Sequence, residues 1–259
     1  MISVLQLGIV PYAEALELQR ALVQRRKVGA ISDVLLLLEH PPVITLGRNA
    51  KEKHVIASRD ALAARGVGLF ECDRGGDVTY HGPGQLVGYP IFDLRGFTDA
   101  DGHRRTLWPV EFVRLLEEVV IGSCGQLGVK AKRLEGLTGV WTDGTPPAKV
   151  AAMGVHISRG VTSHGFALNV NTDLDAFKLI VPCGISDRPV TSLARELGKE
   201  LSIETIAELV AGEFARVFHR KLIPFRSIEE LLGAAPQDVP LQTPRDLRGL
   251  RKQREAFQV

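Results

Sequence analysis

Two residues far apart in the chain have the type and setting of reactive groups. Cys183 stands in Val181-Pro182-Cys183-Gly184-Ile185, between a proline and a glycine. Such a turn puts little bulk beside the sulfur and leaves backbone N–H groups free to face an oxyanion. A lone cysteine otherwise packs as a small hydrophobe. The turn distinguishes Cys183 from Cys124, set in an amphipathic helix, and from Cys72, set at a strand end. Lys149 is the only charge in residues 147–155. It is either an edge-strand lysine turned to water or a functional ammonium held beside an apolar sheet. His156 and His164 flank the turn that follows, as candidate bases or as satisfied polar groups.

A third feature is the run Arg74-Gly75-Gly76-Asp77-Val78-Thr79-Tyr80-His81-Gly82-Pro83-Gly84-Gln85. Glycine is entropically costly to order, so a run this rich in it needs a reason to be ordered. The run is not a dinucleotide fingerprint, because Gly82-Pro83-Gly84 leads into an apolar strand rather than a helix. It is not a phosphate loop either, because no Gly-Lys-Ser/Thr follows. A plain glycine-rich hairpin accounts for Gly82 to Gly84. A ligand cradle accounts better for the crowding of Arg74, Thr79, Tyr80, His81 and Gln85 into one turn.

The elements that must position these groups follow from periodicity. Residues 2–7 read as a strand, and 12–26 as a helix with an apolar stripe and arginines at its end. Residues 34–38 read as a buried strand. Pro41 and Pro42 break it, and 43–46 are expected to return as its hairpin partner. Ser58 can cap a helix ending at Ala64. Residues 69–72 and 86–92 read as strands on either side of the glycine-rich run. A long helix covers 111–127, with Pro109 near its first turn. Short strands are expected at 129–133 and 139–141. Residues 149–157 and 161–169 form a strand pair turning at Arg159-Gly160, and 175–179 a short helix. A strong amphipathic helix covers 203–218. The irregular alternation, with hairpins, points to an α+β fold, a mixed α/β sheet flanked by helices, rather than a regular parallel βαβ array.

Composition bounds the rest. The chain has 259 residues, 45% hydrophobic and 24% charged, as expected of a globular protein with a sizeable core. A net charge of +2 is too weak to argue for nucleic acid. Three scattered cysteines make no disulfide framework and no zinc pattern, which suits reduced thiols in the cytoplasm. The N-terminal residues lack signal-peptide features, and the longest wholly apolar run, 34–38, is far below membrane-spanning length. Prolines and a basic cluster (Arg245, Arg248, Arg251, Lys252, Arg254) mark 233–259 as a polar tail, solvated or in contact with a partner. Residues 1–232 are then one domain.

Five blocks stand out together: Glu39-His40-Pro41-Pro42 with Leu46-Gly47-Arg48, the run from Arg74 to Gln85, Lys149 to Gly154, His164-Gly165-Phe166-Ala167-Leu168-Asn169, and Pro182-Cys183-Gly184-Ile185. As a set they resemble the octanoyltransferases of lipoate biosynthesis, also called lipoyl(octanoyl) transferases. They stand in the family's order and span roughly residues 1–220. The resemblance implies a single catalytic domain like that of biotin and lipoate protein ligases. It implies transfer of an octanoyl group from octanoyl-acyl carrier protein to a specific lysine on lipoyl domains. Those acceptors belong to 2-oxoacid dehydrogenase E2 subunits and the glycine-cleavage H protein. Cys183 resembles the acyl-thioester nucleophile and Lys149 its dyad partner. The substrate-binding segments would be Arg74, Gly75, Gly76, Asp77, Val78, Thr79, Tyr80 and His81; then Ala152, Met153 and Gly154; then Gly165, Phe166 and Ala167. No cofactor, metal, nucleic acid or membrane is implied, and a monomer is expected.

The chemistry suits these groups. A cysteine relay splits the transfer in two and lets one protein partner leave before the other arrives. Free cysteine, with a pKa of about 8.5, is only a few per cent thiolate at neutral pH. An ammonium about 4 Å away at an effective dielectric of about 20 contributes roughly 4 kcal/mol. Half of that multiplies the thiolate population more than tenfold. Val150, Met153, Val155 and Phe166 are candidate walls for the acyl chain. Arg48, Arg74 and Lys178 are candidates for docking or orienting acidic partners. Three rivals remain: an ATP-dependent ligase on the same fold, which needs no cysteine; an amidotransferase drawing acyl groups from another lipoylated protein; and a non-catalytic acyl-binding protein, which has no use for both Lys149 and Cys183.

Overall fold

A computed structural model describes residues 1–98, 101–182 and 188–233. Cys183 and the tail from 234 therefore lie outside the described residues. The chain runs β1 (Ile2–Ile9), α1 (Tyr12–Lys27), β2 (Asp33–Glu39), β3 (Val43–Leu46), α2 (Arg59–Ala64), β4 (Gly68–Glu71), β5 (Val78–His81) and β6 (Gln85–Ile91). It continues through the small hairpin β7 (Phe97–Thr98) and β8 (Arg104–Arg105) to α3 (Pro109–Gln126), β9 (Ala131–Leu134) and β10 (Leu137–Thr142). The last described elements are β11 (Lys149–Ser158), β12 (Val161–Asn169), α4 (Leu193–Leu197), α5 (Ile203–Phe218), β13 (Leu222–Phe225) and α6 (Ile228–Gly233).

An eight-stranded mixed sheet is the frame, in the order β13-β1-β2-β6-β12-β11-β10-β9. β2, an interior strand, is an unbroken apolar run from Val34 to Leu38 because both its faces are covered. Leu35 and Leu37 face a core shared with α3 and α5, while Val34, Leu36 and Leu38 face one shared with α1 and α6. α5 seals the first core with Ile206, Val210 and Phe214, and Phe214 stacks on Phe218 at 5.4 Å. Each such side chain contributes on the order of 1.5–3 kcal/mol by leaving water. Ser58 and Ser202 cap α2 and α5, accepting from Ala61 N and Thr205 N, each at 3.2 Å.

The hairpin expected between 34–38 and 43–46 does not form. β2 pairs with β1 in parallel and with β6 antiparallel. Pro41-Pro42 instead turns the chain out of the main sheet. β3 then lies between β4 and β5 in a separate three-stranded sheet with its own core. β5 is also new: it is carved out of the glycine-rich run, whose Val78 and Tyr80 alternate inward against Ile44 and Phe177. The strand pair β11–β12 forms as expected, from Ser158↔Val161 to Ala151↔Leu168, closing on Arg159 and Gly160 at positive φ.

Candidate active site

The small sheet lies against the α1-side face of the main sheet, and a cavity of about 460 Å³ opens between them. That size suits a small-molecule chain site, commonly about 300–1,000 Å³. Small side chains make the room. Ala152, Gly154, Gly165 and Ala167 line the cavity. The expected walls Val150, Met153, Val155 and Phe166 instead pack into or against the α3/α5 core. Strand alternation sends Met153, Val155 and Phe166 to that face, so Met153 and Phe166 border the cavity while their side chains serve the core.

Arg74 to Gly76 cross directly over β11. Gly75 N donates to Val155 O at 2.9 Å. The crossing is close enough to exclude a Cβ on either side. A carbon added at Gly154 would stand 2.8 Å from Gly75 O, and one at Gly47 2.5 Å from Gly76 O. Arg74 is 8% exposed. Its Nε and Nη2 donate to Thr45 Oγ1 at 3.1 and 2.9 Å, Nη2 to Thr45 O at 2.7 Å and Nη1 to Gly75 O at 3.1 Å. The guanidinium thus braces the run and is not presented to a docking partner. Lys178 is an exposed surface charge paired with Asp175 at 2.7 Å.

Asp77 ties the run to the segment that precedes Cys183. Its Oδ2 bonds His54 Nδ1 at 2.6 Å, and His54 O accepts from Val181 N at 2.7 Å. Thr79 and His81 turn to the cavity, whereas Val78 and Tyr80 turn away into the small core. Burial holds the imidazole of His81 well below the ordinary histidine range. The neutral ring donates from Nδ1 to Gln85 Oε1 at 2.7 Å, because the Gln85 amide nitrogen is spent on Tyr80 O and Asn169 Oδ1. Asn169 Nδ2 in turn donates to Thr191 O at 2.9 Å, and Thr191 N to Lys149 O at 2.9 Å. A continuous polar chain thereby runs from the glycine-rich turn to the strand that carries Lys149.

Lys149 is 6% exposed. Its ammonium lies 4.7 Å from the Trp141 ring centroid, and the Arg188 guanidinium stands 5.9 Å from the same ring. Lys149 N donates to Pro189 O at 2.8 Å. Pro182 and Val190 share a small recess with Lys149, Thr79 and Ala167. The described residues on both sides of Cys183 are thus gathered around Lys149.

The two histidines beyond Lys149 and the other two cysteines are held by their surroundings. His164, 2% exposed, bonds Asp73 Oδ1 through Nε2 at 2.7 Å, and His156 approaches the other carboxylate oxygen at 3.6 Å. The His164 bond pulls the Asp73 carboxyl down to about 2. His164 is therefore a satisfied polar group at the cavity wall. Burial lifts the Cys124 thiol to about 12, so that thiol is inert core. Cys72 is half-buried and donates to Leu46 O at 3.4 Å. Among the described residues no cluster of His, Cys, Asp and Glu could hold a metal. None of their helices is long and apolar enough to cross a membrane.

Sequence reasoning missed several residues that shape the site. Tyr12, Val87, Tyr89 and Leu137 line the cavity, and Trp141 lies under the lysine. Trp141 and Lys149 are cross-strand partners in β10 and β11. A large aromatic facing a lone charge across a short strand pair was the signal available.

The mixed sheet with a second small sheet clasping a cavity is the architecture of lipoate-protein ligases. A bi-partite lipoate protein ligase from Thermoplasma acidophilum, solved with its E2 lipoyl domain, superposes with a TM-score of 0.68 over 90% of each chain at 18% identity. A lipoate-protein ligase A bound with ATP superposes with a TM-score of 0.70 over 90% of this chain and 92% of that one, also at 18% identity. At that identity the likeness is one of fold. In sequence, the model of the Lipoyl protein ligase A/B catalytic domain matches residues 11–215. The Octanoyltransferase of Koribacter versatilis is 58% identical over 96% of this chain and 97% of its own length. That of Acidobacterium capsulatum is 55% identical over 90% and 96%. The chain belongs to the lipoyl protein ligase A/B catalytic domain family and, within it, to the octanoyltransferases.

Proposed function

We propose that this protein moves an octanoyl group from octanoyl-acyl carrier protein to a specific lysine of lipoyl domains, through a thioester on Cys183 assisted by Lys149. The reading is supported above all by the buried Lys149 ammonium at the cavity, with the chain on both sides of Cys183 gathered around it. The acceptors would be lipoyl domains of 2-oxoacid dehydrogenase E2 subunits and the glycine-cleavage H protein.

In the first step the Cys183 thiolate, stabilised by the Lys149 ammonium, attacks the donor thioester carbonyl. A new carbon–sulfur bond forms and the bond to the carrier's thiol breaks. The departing thiolate takes a proton from Lys149. In the second step the acceptor amine attacks the acyl-cysteine. The amide bond forms, Cys183 leaves as thiolate, and the proton lost by the amine returns to Lys149. Both residues end as they began. The octanoyl chain lies in the cavity meanwhile, and burying its methylenes at about 0.8 kcal/mol each contributes on the order of 5 kcal/mol.

Intact-mass spectrometry after incubation with octanoyl-acyl carrier protein tests the reading. A hydroxylamine-sensitive adduct of octanoyl mass should map to Cys183 without ATP. Cys183→Ser should abolish it, and Lys149→Ala should remove most of the rate while leaving the fold intact. An ATP requirement would point to a ligase, and an adduct surviving Cys183→Ser would sink the relay. Efficient loading from a lipoylated protein rather than from carrier protein would make the enzyme an amidotransferase.

A further inference from the structure

Glu117, in the middle of α3, has no exposed surface and no part in the chemistry above. A carboxylate removed from water needs strong partners. Its Oε2 accepts from Arg114 Nη1 at 2.7 Å and from Arg133 Nε at 3.1 Å. Its Oε1 accepts from the backbone N–H of Gly139 at 2.9 Å. Gly139 adopts φ +118°, a conformation that side-chain-bearing residues rarely adopt. A carbon added there would stand 2.7 Å from Ala151 O, 3.3 Å from Lys149 Cε and 3.6 Å from Nζ. The lysine therefore lies along bare backbone at Gly139. The register of β10 breaks against β9 between Leu137 and Trp141, and against β11 between Val140 and Trp141. Gly139 stands in no register pair of β10 with β9 or β11, and its N–H goes to the Glu117 carboxylate.

We propose that Glu117 is a positioning residue for Lys149. By holding the Gly139 amide from α3, it fixes the backbone wall that the lysine stem and ammonium lie against. The inference rests on the reading of Lys149 as the partner of the nucleophile. A carboxylate retained only for the two arginines would need its charge alone. The bond to Gly139 needs the full reach of a glutamate side chain.

Two variants separate charge from reach. Glu117→Gln keeps an oxygen acceptor for Gly139 at full length, loses the charge and turns an amide NH2 toward Arg114 and Arg133, which are part-exposed and can swing away. Glu117→Asp keeps the charge and is one methylene too short for Gly139. Single-turnover acylation of Cys183 by octanoyl-acyl carrier protein would be followed from pH 6 to 9. In parallel, the rate at which acetic anhydride labels Lys149 would be mapped by mass spectrometry, a readout independent of transfer. Glu117→Gln should stay within about threefold of the parent in both assays. Glu117→Asp should acylate about tenfold or more slowly with donor KM unchanged, and its Lys149 labelling rate should move by more than about threefold. A Gln variant as impaired as the Asp one overturns the proposal, as does an Asp variant matching the parent. Should the Asp variant not fold, Glu117→Met, which has the same length but no acceptor for the Gly139 N–H, replaces it: a Lys149 labelling rate changed more than about threefold supports positioning and an unchanged rate refutes it. If Lys149→Ala acylated normally, the reading of Lys149 would fail, while the labelling would still report whether Glu117 holds it.

Discussion

The Lys149 ammonium lies 4.7 Å from the centre of the Trp141 ring, and the pair spans two adjacent strands, β10 and β11. Trp141 is 1% exposed, so the cation rests on a desolvated aromatic face. There the attraction is worth about 2 kcal/mol, against about 0.5–1 in water. It also restrains a four-carbon side chain that would otherwise sample many rotamers. Trp141→Phe, which keeps a ring under the ammonium, should retain most activity. Trp141→Leu should lose stability by about 2–4 kcal/mol through the cavity it leaves. It should also slow acylation of Cys183 by about 5–30-fold through loss of the cation's platform. Thermal melting and single-turnover acylation measure the two effects separately. Equal rates for the Phe and Leu variants would refute a role for the ring face.

A second prediction concerns pH and stability. His40 is fully buried. Its Nδ1–H donates to Val10 O at 2.7 Å, so Nε2 accepts from the Tyr89 hydroxyl at 2.7 Å. Burial pushes the ring down to about 4. In the unfolded chain the value is about 6.5. The native state thus resists a proton that the unfolded state takes up. The stabilisation is complete above about pH 6.5, falls as pH drops from there to about 4, and is lost below that. Two and a half pH units at about 1.4 kcal/mol each give roughly 3 kcal/mol for this one residue. His81 is held neutral in the same way, so the parent loses stability through both. His40→Asn should therefore show a shallower fall in urea midpoint between pH 7 and 4. Parallel curves for the variant and the parent would contradict the assignment.

What could be read from the chain without its fold was what depends on neighbours in sequence. The helix Ile203–Phe218 and the strand pair closing on Arg159-Gly160 are legible because their periodicity and turn chemistry are local. Lys149 stood out because a single charge interrupts an apolar strand. The alternation of Val78 and Tyr80 against Thr79 and His81 is masked by the glycines around it, so periodicity alone does not reveal β5. The path after Pro41-Pro42 is hidden for a different reason. Two prolines end a strand but carry no instruction about which sheet receives the next one, and β3 finds β4 and β5 through contacts distant in sequence. Trp141 under Lys149 and Glu117 behind Gly139 likewise depend on pairings across strands and layers.

Glycines in this protein should divide sharply by the space around them. Gly154 lies beneath the glycine-rich run. An added carbon would stand 2.8 Å from Gly75 O and 3.3 Å from Arg74 Cδ. Neither neighbour can easily yield, since Gly75 N is bonded to Val155 O and the Arg74 guanidinium is fixed on Thr45. Gly154→Ala should therefore lift the run off β11. Overpacking of this kind costs about 1–3 kcal/mol, a fall in Tm of about 2–10 °C for a chain of this size. Because the run roofs the cavity, the KM for the octanoyl donor should also rise. Gly125 is the counter-case. It lies inside α3, and beyond its chain neighbours and the helix's own backbone nothing stands within 4 Å of an added carbon. There alanine relieves the conformational freedom of glycine without a clash, so Gly125→Ala should raise stability by up to about 1 kcal/mol and leave KM unchanged. Differential scanning calorimetry with steady-state kinetics reads both variants. Equal shifts of Tm at the two positions would mean that the close crossing of Gly75 over Gly154 does not govern the site.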